Sequence, residues 1–189
     1  MILYGLSNLM IIYCRNNGVK AMKKCFPNLL PAQEYLLPSN SKIDSETKKR
    51  YYKFLSSHID NFKICDNDDE MSPYVATAVT WLISKTRDVN KFPLIAEENA
   101  NFGFSYNLLG LKPLGVTLSI FGIVITLILT VLCLENIISI KIDGILVSLV
   151  VHLIFLVLWI FVITKELVIS SGCKYARALL SVCDSNAID

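Results

Sequence analysis

Two histidines are all the imidazole this chain has, and its six cysteines, Cys14, Cys25, Cys65, Cys133, Cys173 and Cys183, include no CxxC pair. Zinc sites draw on closely spaced cysteines and histidines, so no metal site is expected and no cofactor is implied. Charge of one sign is scarce as well: 18 Lys and Arg stand against 16 Asp and Glu, a net +2. No basic run carries the interleaved aromatics of single-strand binders, and direct nucleic-acid binding is not expected. A Walker glycine loop, a GxSxG elbow, an HExxH pair and a kinase or nuclease set are all missing. Residues 110–115 come nearest to a phosphate loop, but they lack its spacing and its following Ser or Thr. The expectation is a protein that is not an enzyme.

Apolar surface is what the chain has in excess. Hydrophobic residues make up 53% of it and crowd into its last third, more than an ordinary soluble domain carries. Residues 114–134 contain no charge, and in 144–164 the only ionisable group is His152. At about 1.5 Å per residue, either segment as a helix is roughly 30 Å long and crosses a bilayer. The predicted architecture is all-α: a two-helix transmembrane hairpin over 113–164, with spans 114–134 and 144–164, a small helical cytoplasmic domain over 14–112, and a cytoplasmic amphipathic helix and tail over 165–189. The connection 135–143 holds Glu135, Asp143 and one lysine, whereas Lys112, Lys165, Lys174 and Arg177 flank the other side. The positive-inside rule then puts both chain ends in the cytoplasm and the turn on the periplasmic or external side. Cytoplasmic thiols are expected to be reduced, without a disulfide framework.

Residues 1–13 are apolar, but as a helix they cover only about 20 Å. The expected form is a short in-plane or packed helix, or the remnant of a longer anchor, with Arg15, Lys20, Lys23 and Lys24 at the headgroups. Pro27, Pro31 and Pro38 interrupt the next stretch. Asp44 is the predicted N-cap of a helix whose apolar face is Tyr51, Phe54, Leu55, His58, Ile59 and Phe62, with Lys48, Lys49, Arg50 and Lys53 mostly opposite. His58 is expected as a satisfied core histidine. Residues 66–70 read as an acidic loop, and Ser72 with Pro73 as the start of a central helix carrying Tyr74, Val75, Ala78, Val79, Trp81, Leu82 and Ile83. A third helix, about 93–111, places Ile95, Phe102, Tyr106 and Leu109 on one side. Pro113 then either begins the first span or kinks a continuous helix.

Small residues mark the expected membrane contacts. Gly115, Ser119, Gly122 and Thr126 fall on one seam of the first span, and Gly144, Ser148 and His152 repeat at four in the second. Such stripes let membrane helices approach closely, so they are the predicted packing or gating residues, between the spans or between subunits of a homo-oligomer. An ionisable side chain in a bilayer needs a partner, and a hydrogen bond to Ser or Thr is expected for His152. Beyond the second span, Ile169, Cys173, Ala176, Leu180 and Cys183 continue a four-three seam. Arg87, Asp88, Glu97, Glu98, Asn101 and Asn107 form the most polar local group. Glu97 and Glu98 are adjacent and point apart on a helix, which disfavours acid–base work and leaves a cytoplasmic partner surface as the candidate role.

With the run NLLGLKPLG over 107–115 followed by a hydrophobic hairpin, the chain resembles small two-span bacterial membrane proteins of anti-phage defence cassettes, of the retron or cyclic-nucleotide-signalling type. The resemblance covers the layout of residues 93–183 and that one motif. It implies a toxin-like inner-membrane effector, held inactive by a regulatory protein or ribonucleoprotein partner, that oligomerises or rearranges on release and disrupts the membrane. No functional residue carries over, and no nucleotide-sensing domain is recognisable. The alternative is a non-enzymatic, membrane-anchored adaptor or assembly subunit that binds a cytoplasmic partner.

Overall fold

The computed structural model describes every residue except Met1, Ile140, Asn186, Ala187 and Asp189, and all described side chains except those of Ile2, Leu3 and Leu6. Helix accounts for 78% of it, and no strand occurs among the described residues. The helices are α1 (Ile2–Cys25), α2 (Pro31–Tyr35), α3 (Ser45–His58), α4 (Asp68–Lys85), α5 (Pro93–Leu134), α6 (Ile142–Val157) and α7 (Lys165–Leu180). A π-helical turn, Leu158–Val162, extends α6, and a 3-10 turn, Ser181–Asp184, follows α7. Contacts divide the chain into two compact units. One joins Met1–Met22 to Ser105–Leu167; the other joins Lys23–Phe104 to Val168–Asp189.

In the second of these units the core is built from α2, α3, α4 and α7. Tyr35, Leu36, Leu55, Met71, Val75, Leu82, Leu179 and Leu180 are all fully buried in it. Each such side chain contributes roughly 1.5–3 kcal/mol by leaving water. Asp44 caps α3 as predicted, its Oδ1 accepting the Thr47 N–H at 2.8 Å; bonding to Thr47 holds its carboxyl below the usual range. Helix α4 starts earlier than the sequence suggests, because Asn67 Oδ1 accepts from Asp69 N–H and caps it. Asp68, Asp69 and Glu70 thereby become a first turn, where the helix dipole favours negative charge, instead of a loop. Pro73 lies inside the helix, and the backbone bond it forfeits falls on an exposed side.

Three further details depart from the periodicity. Lys48 is buried rather than part of a basic face, and its Nζ donates to the carbonyls of Leu37, Pro38 and Asn40. Desolvation pushes its pKa down. His58 is exposed, not in the core: its ring stacks on Phe54, and Nδ1 is satisfied by Ser57 and the Phe54 carbonyl. The buried stripe of α7 is Val168, Gly172, Ala176, Leu179 and Leu180, with Ile169 exposed. Gly172 sets that register, since a Cβ there would lie 3.0 Å from Phe26 Cζ and 3.1 Å from Phe102 Cε2. The stripe docks on the core of its own chain.

The third predicted helix and the first span are one helix, α5, 42 residues long with Pro113 inside it. The second span does not run on into α7. It ends in the π-helical turn and the non-helical pair Ile163 and Thr164, with Ile163 at φ −84° and ψ 88°. At the other end of the chain, the apolar helix expected over 1–13 is the first half of α1 and continues to Cys25. It passes without a break through Arg15, Asn16, Asn17 and Gly18.

Candidate functional site: the seam between the apolar helices

Two helices are long and apolar enough to cross a membrane: α5, and α6 together with its π-helical turn. Only 11% and 6% of their most apolar stretches are buried, whereas the core helix of a soluble protein is mostly buried. Their outward faces present Leu118, Phe121, Ile128, Val147, Ile154 and Phe161, all more than half exposed or nearly so.

Two glycine notches hold the arms together. Gly115 lies against the indole of Trp159, and Gly122 against the imidazole of His152; a Cβ at either glycine would overlap the facing ring. Along α5 the notches are about two turns apart, and along the other arm their rings are about two turns apart in the reverse direction. The arms are thus antiparallel and in register over that distance. Between and beyond the notches, Ser119 is 4% exposed and Thr126 3%. Their hydroxyls donate along their own helix, Ser119 to the Gly115 carbonyl at 2.8 Å and Thr126 to the Gly122 carbonyl at 2.7 Å. Thr130 does the same to Thr126.

This back-bonding overturns one expectation. His152 was expected to bond a hydroxyl across the seam, but a Ser or Thr in a helix satisfies itself on the carbonyl one turn back. Among the described residues no hydrogen bond reaches the His152 ring, which is half-buried against Gly122. On the facing arm the contact between the two spans bypasses Gly144. Gly144 is exposed, and a Cβ added to it would meet nothing within 4 Å. Steps of four residues drift by about 40° each around a helix, so a row through Gly144, Ser148 and His152 leaves the contact line. The seam instead runs through Ile145, which is 5% exposed, half-buried Ser148, His152 and Trp159.

No known protein family, curated protein or solved structure matches the chain. What the seam does must be read from its own geometry.

At the base of the hairpin, Lys112 has a role that a charge count does not show. The π-helical turn closes with Ile163 N–H on the Leu158 carbonyl at 3.2 Å, and the helix then stops. The end of a helix leaves carbonyls without partners and carries partial negative charge. Lys112 Nζ donates to two of them, Ile160 at 3.0 Å and Ile163 at 2.8 Å, tying α5 to the end of the other arm. A lysine before a span reads equally well as a headgroup anchor, so sequence alone gives no signal for this clamp.

The same unit holds a backbone crossing between α1 and α5. A Cβ on Gly18 would overlap Asn107, and one on Gly110 would overlap the peptide joining Asn17 to Gly18. Asn107 Oδ1 is buried there without a hydrogen-bond partner. Asn107 thus lies at this crossing, in the first unit, and the other five residues of the predicted polar surface belong to the second. Of those, Arg87, Asp88, Glu97 and Asn101 are exposed. Asp88 Oδ1 accepts from the backbone of Asn90 and Lys91 and so shapes the turn before α5. Glu98 is half-buried with Oε2 unpartnered.

Proposed function

We propose that the protein is a bacterial inner-membrane effector of anti-phage defence. In this reading α5 and α6 span the bilayer with the acidic turn outside and both chain ends in the cytoplasm. A regulatory protein or ribonucleoprotein partner holds it inactive, and on release it self-associates and perturbs the membrane. The observation that carries the reading is the seam. Two arms with apolar outer faces meet through two glycine notches, one of which holds a histidine that has no hydrogen-bond partner among the described residues. An imidazole in hydrocarbon without a partner is costly. Association of copies that brings polar groups of a neighbour to His152 lowers that cost and yields the homo-oligomer.

The test is expression of the full chain in bacteria loaded with a membrane-potential dye, repeated with its neighbouring genes under phage challenge. Wild type is expected to depolarise the cells. Gly122→Leu and Ser119→Leu, which block the notches both within and between copies, are expected to abolish the effect. A wild type harmless under both conditions refutes the proposal.

A membrane-anchored adaptor is the second reading, favoured by the half-open aromatic face of α3 and α4. There Phe54, His58 and Trp81 stack beside a shallow groove lined by Ala76, Thr77, Thr80 and Ser84. An adaptor leaves the membrane potential intact, and Thr80→Arg should release its partner.

A further inference from the structure

We infer that the first half of α1 is a third membrane-embedded element, lying antiparallel beside the first span with its side chains in lipid. The inference rests on the reading of α5 and α6 as membrane-spanning. Three pairings fix the direction of α1 against α5. The peptide between Asn17 and Gly18 meets Gly110, Gly18 meets Asn107, and Phe26, just past the helix, packs edge-on against Phe102 with ring centroids 6.0 Å apart. Advancing along α1 means descending α5. The residues before Gly18 therefore run toward Pro113 and the uncharged segment beyond it, and they belong to the same compact unit as that segment.

Among the described side chains, burial falls away where the apolar half begins. Cys14, Gly18, Ala21 and Cys25 form a half-buried to buried stripe at steps of four, three and four. Before Cys14 that stripe stops. The five consecutive residues Leu9, Met10, Ile11, Ile12 and Tyr13 are 64, 52, 62, 56 and 46% exposed. Five consecutive residues cover the whole circumference of a helix, so no polar face remains for water. A helix that is apolar all round belongs in a protein core or a bilayer, and this one is not in a core. An in-plane helix needs one polar face, which residues 9–13 lack. The polar exceptions are Ser7, whose hydroxyl bonds back to the Tyr4 carbonyl, and half-buried Asn8.

Charge agrees with this placement. Residues 2–14 carry none, and exposed Arg15 and Lys20 follow, at the level of α5 where Lys112 precedes the first span. Anionic headgroups at that level attract them by about 1 kcal/mol each. From Tyr13 back to residue 2 the helix extends about 18 Å, more than half the hydrocarbon thickness.

The full chain, reconstituted into vesicles of phosphatidylethanolamine and phosphatidylglycerol, tests this. A photoreactive phenylalanine analogue is placed singly at Leu9, Ile12, Ile125 or Lys53, irradiated, and the products are weighed by mass spectrometry. All four positions are exposed, so the analogue disturbs no packing. Phospholipid adducts are expected at Leu9 and Ile12 as at Ile125 on α5, with none at Lys53 on α3. Adducts at Ile125 without adducts at both α1 positions overturn the inference and leave the spanning reading intact. No adduct at Ile125 overturns the spanning reading itself.

Discussion

Placing the same methyl group at two glycines of the hairpin should have opposite effects. At Gly144 a Cβ meets nothing, so Gly144→Ala only removes glycine's backbone freedom and is expected to stabilise the helix by about 0.5–1 kcal/mol. At Gly122 the new Cβ would overlap the His152 ring itself, at Cε1, Nε2 and Nδ1. Overpacking of this kind costs about 1–3 kcal/mol. Helix propensity returns about 1 kcal/mol, so Gly122→Ala should destabilise the paired arms by up to about 2 kcal/mol, as much as a 30-fold shift. The cost comes from one contact, so truncating the ring in Gly122→Ala with His152→Ala should recover at least half of it. That recovery is the interaction term of a double-mutant cycle. Titration of micellar protein with SDS, followed through Trp159 in a Trp81→Phe background, reads all four variants. If Gly122→Ala is as stable as Gly144→Ala, or the double variant no better than Gly122→Ala alone, the notch described here does not exist.

Lys112→Met should lower the same SDS midpoint by removing two bonds from a charged donor, about 1.5–3 kcal/mol in all, with Lys112→Arg recovering part of the loss; an unchanged midpoint counts against the clamp. Lys48→Met leaves the carbonyls of Leu37, Pro38 and Asn40 without their shared donor. It should cost about 1–3 kcal/mol in thermal unfolding followed by near-ultraviolet circular dichroism, and a neutral result would mean that water takes over the bonds. Asp44 and Asp68 both have carboxyl pKa values lowered by hydrogen bonds, from Thr47 and Ser39 respectively. Their contribution is therefore complete above the ordinary carboxylate range and is lost as pH falls through the lowered values. Unfolding temperature should drop below about pH 4, and less steeply in Asp68→Ala than in wild type.

The apolar spans were legible because length and lack of charge suffice for them. Which face of a span meets its partner was legible on α5, where two glycines and two hydroxyl residues mark it. On α6 it was not: with every side apolar, Gly144 and Ser148 look as inward as Ile145, and contact alone separates them. In the other unit, capping by Asp44 was legible because the side chain acts locally. The start of α4 was misplaced because Pro73 is a strong signal for a first turn, while the weaker signal, Asn67 with three acids behind it, carries the helix five residues further back. Lys48 and Lys112 share a reason for being missed. Both bond backbone carbonyls outside their own helix, 8 to 11 residues away for Lys48 and 48 and 51 for Lys112, and a carbonyl left open by a turn or a helix end has no signature in residue types.

The two connections of the apolar hairpin differ in torsional stiffness. On α5 the helix runs unbroken from Pro93 to Leu134, and the one ladder bond it forfeits is at Pro113, which has no N–H for the Leu109 carbonyl. On the other arm the ladder stops at the π-helical turn, and the dihedral angles of Ile163 and Thr164 can take up rotation locally. The hairpin can be wound from one side only. Rotation of α5 by about 100°, the angle between neighbouring residues, would carry Gly115 and Gly122 out from under Trp159 and His152 and turn bulkier side chains toward those rings. The rotational setting of α5 thus decides whether the arms stay paired.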